Sequence, residues 1–262
     1  MYIFKNELRR HRITTVAIGV ILGLFMMIVI TIYPAFSDDA QNMMAAFGDL
    51  SSFTNLLNID ITQLGSLEGY YGMEHDVLVN LTISVYAAML GGNLLLKEER
   101  EHTSEFLLTH PVSRVRVIAE KLLASTVILL VVLLCVYSIS LLTVYFSGQE
   151  VAAGIFFKIH LVSFLLYLNI HLLALGLVEL VPYKNATLGT FVVVFLYALL
   201  VISNLKPDWE FLRWLTPFHY SSTSFIINTD TIPWKYIAAN YAISFVFLFL
   251  GLYRYTKRDI DY

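Results

Sequence analysis

Residues 97–121, KEEREHTSEFLLTHPVSRVRVIAEK, decide the fold of this chain. They hold five basic residues (Lys97, Arg100, Arg114, Arg116, Lys121) and five acidic ones (Glu98, Glu99, Glu101, Glu105, Glu120). On either side lies an apolar run long enough to cross a bilayer. So dense a charge belongs in water, where the chain turns back. Inside the island, Phe106, Leu107 and Leu108 make an apolar patch. His110-Pro111 ends a helix there, because the residue before a proline is pushed out of the α region. Ser113 is placed to cap a second helix that runs into the next apolar segment. The expected shape is a short helix, a break, and a helix entering the membrane, which suits handing a push from a soluble partner to a span.

Working outward, 58% of the 262 residues are hydrophobic and 14% charged, against roughly 25% charged in soluble domains. The class this implies is an all-α, polytopic membrane protein with a single transmembrane domain over residues 1–262. The net charge of −3 gives no reason to expect nucleic acid, and the basic residues inform by position rather than by sum. Cys135 is the one cysteine, so an intrachain disulfide and a CxxC metal or haem site are both excluded.

In chain order, residues 2–12 (YIFKNELRRHR) set Tyr2, Ile3, Phe4 and Leu8 among Lys5, Arg9, Arg10 and Arg12. This favours a basic amphipathic helix in the membrane interface, the other reading being a frayed cytosolic tail. Residues 13–33 form the first span. A signal peptide would have an apolar core of only about 7–15 residues and a small-residue cleavage site. Residues 34–76 carry seven acidic residues and no lysine or arginine. Met43, Met44, Phe47 and Leu50 recur in this stretch at helical spacing. An acidic loop of this kind suits a cation, but a translocated loop lacking basic residues is the simpler reading. Residues 77–96 are the second span, with Gly91-Gly92 available for close helix packing. Asn80-Leu81-Thr82 matches a glycosylation triplet, which at the mouth of a span is accidental. Residues 122–146 form the third span, and 147–151 a tight turn.

The fourth span, 152–181, is interrupted by Lys158, His160, Asn169, His171 and Glu179. Lys158, His160 and Glu179 lie near its ends and read as interface anchors. Asn169 and His171 are the deepest polar pair, and both a substrate path and interhelical hydrogen bonding fit them. The fifth span is 186–203. Residues 204–233 read as two short amphipathic helices broken at Pro217, with tryptophans at headgroup depth. The sixth span is 236–253. With both termini inside, 13 of the 17 lysines and arginines fall on the inner side and only Lys158, Lys206, Arg213 and Lys235 outside, which fixes the orientation.

The run from Glu99 to Leu108, followed by Pro111-Val112-Ser113-Arg114 and Lys121, resembles the loop after the second span of type-2 ABC exporter permeases, with His102 where that pattern has a glycine. Arg258-Asp259-Ile260 resembles a common ending in the same family, and with the span layout the resemblance covers nearly the whole chain. It implies that the loop is a cytoplasmic coupling helix docked on a separate ABC ATPase. Glu98, Glu99, Glu101, Glu105 and Arg114 would then face the ATPase while Phe106, Leu107 and Leu108 fill its groove. It also implies short re-entrant helices between spans five and six, with Trp209, Trp214 and Phe218 closing the outer end. A second permease copy or a paralogue would complete a dimer in a plasma membrane of bacterial type. ATP and Mg would sit on the partner, with no cofactor, metal or catalytic residue on this chain.

What is missing agrees with that division of labour. There is no G-x-x-x-x-G-K-[ST] phosphate loop, no H-E-x-x-H and no G-x-S-x-G. A non-transporting scaffold or sensor would share the fold. A membrane enzyme built on His160, His171 or Glu179 would need residues spread over more than about five helical turns to meet. The low-charge, aromatic-rich spans favour an apolar or amphipathic cargo, such as a membrane-active peptide or an antibiotic.

Overall fold

The computed structural model describes residues 2–48, 63–96, 114–181, 187–205 and 207–257. Every regular element among them is helical. Helix α1 is Tyr2–Gly48, α2 Leu67–Glu74, α3 Leu81–Asn93, α4 Arg114–Ser147, α5 Ala153–Leu180 and α6 Thr187–Leu205. After a 3₁₀ turn over Pro207–Trp214 come the short α7, Pro217–Tyr220, and α8, Thr223–Thr229; α9 is Trp234–Lys257. A π turn, His75–Asn80, joins α2 to α3.

Five helices among the described residues are long and apolar enough to cross a membrane: Tyr2–Ala35, Val115–Ser147, Ala153–Leu180, Thr187–Leu205 and Trp234–Lys257. Four of these match the expected first, third, fifth and sixth spans, and Ala153–Leu180 the fourth, each to within several residues apart from the longer starts of α1 and α4. The residues of the expected second span, 77–96, fall on the π turn, α3 and the turn after it, and are not among these five helices.

The expected interfacial helix over 2–12 is helical, but it continues into the span as part of α1. The sequence supplies no break: residues 2–18 contain neither glycine nor proline, and their Lys, Arg, Glu and Leu are good helix formers. Pro34 lies inside α1. It removes one backbone donor, the one that would face the carbonyl of Ile30, while the surrounding turns keep theirs. The helix expected around Met43, Met44 and Phe47 is the end of α1, and Leu50 lies outside the described residues. Likewise α4 starts at Arg114, since nothing between 114 and 147 interrupts it.

α1 lies along α4, and α5 stands centrally against α3 and α9. Met26 and Ile30 of α1, Tyr71 of α2, Ile83 and Ala87 of α3, Leu129 and Val132 of α4, and Leu166, Tyr167 and Ile170 of α5 share one core. Outward, α6 presents Phe191, Val194 and Phe195, and α9 Phe245, Val246 and Phe249, all exposed. In hydrocarbon such faces cost little, so close packing rather than expulsion from water must hold the helices together. Glycine supplies that closeness. A Cβ on Gly91 would sit 2.3 Å from the His171 carbonyl oxygen, and one on Gly176 would sit 2.5 Å from the backbone of Phe247 and of Leu248.

Between α6 and α9, Pro217 opens a helix instead of breaking one, since at the first helical position its missing N–H is no loss. Thr216 donates its hydroxyl to the Leu196 carbonyl at 2.7 Å, tying the start of α7 to α6. Ser222 caps α8 by accepting from the Phe225 N–H at 3.4 Å, and Asp230, in the left-handed region at φ 51°, ends it. The expected pair of amphipathic helices is therefore three short pieces.

Candidate functional site

The polar side chains gather at three levels of the bundle. The first is the end that carries Tyr2 and both flanks of the charged island. The island residues Glu98, Glu99, Glu101, Glu105, Phe106, Leu107 and Leu108, with Ser113, lie outside the described residues, and Arg114 opens α4. Their flanks are firmly held. Lys121, only 1% exposed, donates its ammonium to the Leu94 carbonyl at 2.6 Å and lies 3.8 Å from the Glu7 carboxylate. A buried ammonium needs such partners, because desolvation would otherwise outweigh any gain from packing. Glu120 accepts from the Phe4 backbone N–H at 3.4 Å and from Arg116 Nε at 3.1 Å. A carboxylate at the first turn of α1 also suits the helix dipole. Leu94, Leu95, Ile118 and Leu175 form a small separate core, with Leu122, Leu248 and Leu252 packed on it. The two flanks of residues 97–113 thus rest on α5 and α9.

At mid-depth, His171 is fully buried and bonded at both ring nitrogens. Its Nδ1 lies 3.2 Å from the Ala87 carbonyl, which only accepts, so Nδ1 carries the proton and Nε2 accepts from the Ser125 hydroxyl at 2.8 Å. One imidazole thereby joins α3, α4 and α5. Asn169, also buried, accepts from the Ser244 hydroxyl of α9 at 3.2 Å, while its Nδ2 finds no partner among the described residues.

The opposite end holds a network that the sequence reading missed. Asp76, in the π turn, accepts from the backbone N–H and the hydroxyl of Thr223, both at 2.8 Å, and from Asn80 at 3.0 Å. Tyr167 donates to Asn80 Oδ1 at 2.7 Å. His160 Nδ1 lies 2.8 Å from the Phe156 carbonyl and its Nε2 3.0 Å from the Tyr71 hydroxyl, which donates to Ser140 Oγ at 3.1 Å. His75 is 0% exposed, stacks on Tyr71 at 5.6 Å and meets the His160 ring edge-on at 5.1 Å. A π turn shifts side chains out of helical register and recurs at functional positions, and here it aims Asp76 at α8.

Two expected interface anchors are corrected. His160 and Glu179 are buried in protein, His160 against Tyr71 of α2, His75 of the π turn and Tyr137 of α4. Lys158 stays near the surface but pairs with Asp230 at 2.7 Å. His160, His171 and Glu179 are not brought together: His160 bonds near the α2 end and His171 at mid-depth. Among the described residues no three His, Cys, Asp or Glu groups could hold a metal ion.

Of the expected outer residues, Trp209 and Trp214 are 37% and 43% exposed. Phe218 is buried, edge-on to Tyr197 at 5.4 Å. Asn240 of α9 donates to the Trp214 carbonyl at 3.2 Å. His219, in α7, meets Tyr236 edge-on at 4.8 Å. Burial pushes its pKa down to about 4, with the Arg213 charge acting the same way.

These features define a multi-pass helical membrane protein whose helices are tied by glycine contacts and buried hydrogen bonds. The chain belongs to the ABC-2 family transporter proteins: the model of that family matches residues 1–260. No curated protein matches the chain.

Proposed function

We propose that this chain is the permease subunit of an ATP-driven exporter, taking the stroke of a separate ABC ATPase through residues 97–121. The observation that carries the reading is the anchoring of both flanks of residues 97–113. Lys121 bonds to Leu94, and Leu94, Leu95 and Ile118 pack with Leu175, Leu248 and Leu252. A displacement of the loop would therefore reach α5 and α9 together, without passing through a flexible linker. Family membership supports the same reading.

The α2–π–α3 run supplies the sixth crossing. Leu67 to Asn93 is helical throughout, on the order of 40 Å at about 1.5 Å per residue, enough for a hydrocarbon core of about 30 Å. Both termini and the charged island then face the cytoplasm of a bacterial-type plasma membrane. Trp209, Trp214 and Phe218 close the outer end, and two permease subunits enclose the path. ATP and Mg are bound by the partner ATPase. The cargo is apolar or amphipathic, such as a membrane-active peptide or an antibiotic, in keeping with the exposed aromatic faces and the few charges at span depth.

The test is to co-express the tagged chain with an ABC ATPase encoded beside it and to measure co-elution in mild detergent and ATP hydrolysis. Wild type should co-elute, and Glu105→Arg or Phe106→Asp should abolish coupling with membrane insertion intact. A chain that elutes alone and leaves ATP hydrolysis unchanged overturns the coupling role and leaves a non-transporting scaffold or sensor in its place.

A further inference from the structure

Asp76 of the π turn is partly buried, and its three hydrogen bonds all come from neutral groups, the Thr223 N–H and hydroxyl and the Asn80 amide. No cationic side chain pairs with it among the described residues. Lys158 is engaged by Asp230 and Arg213 by Glu210. Hydrogen bonds spread a carboxylate's charge without cancelling it, and a charge drawn away from water calls for a counter-ion or a proton. Beside Asp76 lies a cavity of about 20 Å³, lined also by Asn80, Tyr197 and Ser221 and closed by Leu200 and Phe218. One water-sized body needs about 10–15 Å³, so the space admits a single bare ion without its hydration shell. Its polar side chains come from the π turn, from α6 and from the residue after α7. Ser221 donates its own proton to the Phe218 carbonyl at 3.1 Å, and Asn80 Oδ1 accepts from Tyr167. Each of these two oxygens therefore keeps a lone pair.

We infer that this cavity holds one dehydrated, sodium-sized monovalent cation, with the Asp76 carboxylate as its charged ligand and Asn80, Tyr197 and Ser221 as neutral oxygen ligands. One carboxylate matches one positive charge. Calcium asks for about six to eight oxygens and magnesium keeps several of its waters, and the cavity has room for neither arrangement. Carboxylate, amide and hydroxyl oxygens are hard ligands, which do not suit the softer metals that imidazole and thiolate select. Bound there, the ion would tie the π turn to α6 and to the junction of α7 and α8, adding to the Asp76–Thr223 bonds. The inference goes beyond the permease reading and depends neither on the cargo nor on the ATPase.

The test uses the full chain in mild detergent at fixed ionic strength, with choline chloride replaced stepwise by sodium or potassium chloride. Binding is read as retained radioactive sodium, and stability as the thermal unfolding midpoint by circular dichroism. Wild type should retain one sodium per chain, and its midpoint should climb with sodium concentration, as for any ligand bound by the folded state alone. Asp76→Asn keeps an oxygen for Thr223 but loses the charge, and should weaken sodium binding by roughly tenfold or more, the scale of one contact to a charged group. Ser221→Ala leaves the Asp76–Thr223 bonds in place and should weaken sodium several-fold, so it decides the matter should Asp76→Asn fail to fold. Equal midpoints of wild type in sodium and choline overturn the inference, as does an equal response to potassium. Unchanged sodium affinity in Ser221→Ala or in a folded Asp76→Asn also overturns it. A wild-type midpoint indifferent to sodium but raised by acid overturns it too, by assigning the carboxylate a proton in place of the ion.

Discussion

Gly176→Ala is the sharpest test of how the bundle is held together. On α5, a Cβ at this position would lie 2.5 Å from Leu248 N and Phe247 C and 2.6 Å from Phe247 O. All three are backbone atoms of α9, so no side chain can turn aside. Carbon contacts are comfortable at about 3.5–4.0 Å, so α5 and α9 would have to separate by roughly 1 Å where they cross. A gap of that size forfeits between about a quarter and a half of the dispersion energy of each contact. Overpacking of this kind costs about 1–3 kcal/mol, which is roughly five- to 150-fold in the unfolding constant. In hydrocarbon no compensating hydrophobic gain is available. The assay is unfolding by sodium dodecyl sulfate in mixed micelles, followed by circular dichroism. Gly154→Ala is the control: its Cβ would meet nothing within 4 Å, and it should be neutral or stabilising by up to about 1 kcal/mol through helix propensity. Indistinguishable midpoints for the two variants would refute the view that direct backbone contact fixes the α5–α9 crossing.

Gly251→Ala should destabilise in the same assay, because its Cβ would lie 2.5 Å from the Gly176 carbonyl oxygen, and its effect should not add to that of Gly176→Ala, since both act at one crossing. Thr223→Val leaves Asp76 its backbone donor but removes the hydroxyl bond; a loss of about 1–3 kcal/mol should appear with faster proteolysis near α8, and unchanged proteolysis would count against the tie. His171→Phe removes two interhelical bonds and should cost about 2–4 kcal/mol in unfolding, whereas a variant of full stability with altered cargo selectivity would instead favour a path-lining role. For His219, burial favours the neutral ring, with Arg213 adding to the effect and Tyr236 against the ring edge. Its stabilising contribution is therefore complete above the ordinary histidine pKa of 6.5 and lost as pH falls toward about 4. Difference melting curves of wild type and His219→Gln should converge on acidification, and a constant difference from pH 7 to pH 4 would refute this.

The spans were legible because hydrophobic runs and their flanking charges follow from solvation alone. Ala153–Leu180 and Trp234–Lys257 fall within a few residues of where hydropathy sets them. The ends of helices were less legible. Basic residues 5–12 mark an interface, yet nothing in their chemistry stops a helix, and α1 runs straight through them. Gly91 signalled a close approach, and His171 beside it is the partner, but only the fold says which helix arrives. The Asp76–Thr223 tie joins residues 147 positions apart through a π turn. A π turn is one extra residue in a helical circuit, and neither composition nor periodicity marks it. His160 read as an anchor because its distance from the span end was visible and the neighbours covering it were not.

The undivided α1 has a mechanical meaning. At about 1.5 Å per residue, the stretch of α1 before Pro34, Tyr2 to Tyr33, makes a rod on the order of 50 Å long, longer than the hydrocarbon of about 30 Å it has to cross. A rod cannot be leaned at one face of the membrane without swinging at the other. A lean of roughly 5° about its middle carries each tip about 2 Å, in opposite directions. With Phe4 clasped to Glu120 at one end and Tyr33 bonded to the Gly65 carbonyl further along, the two faces of the membrane are linked by a single stiff lever.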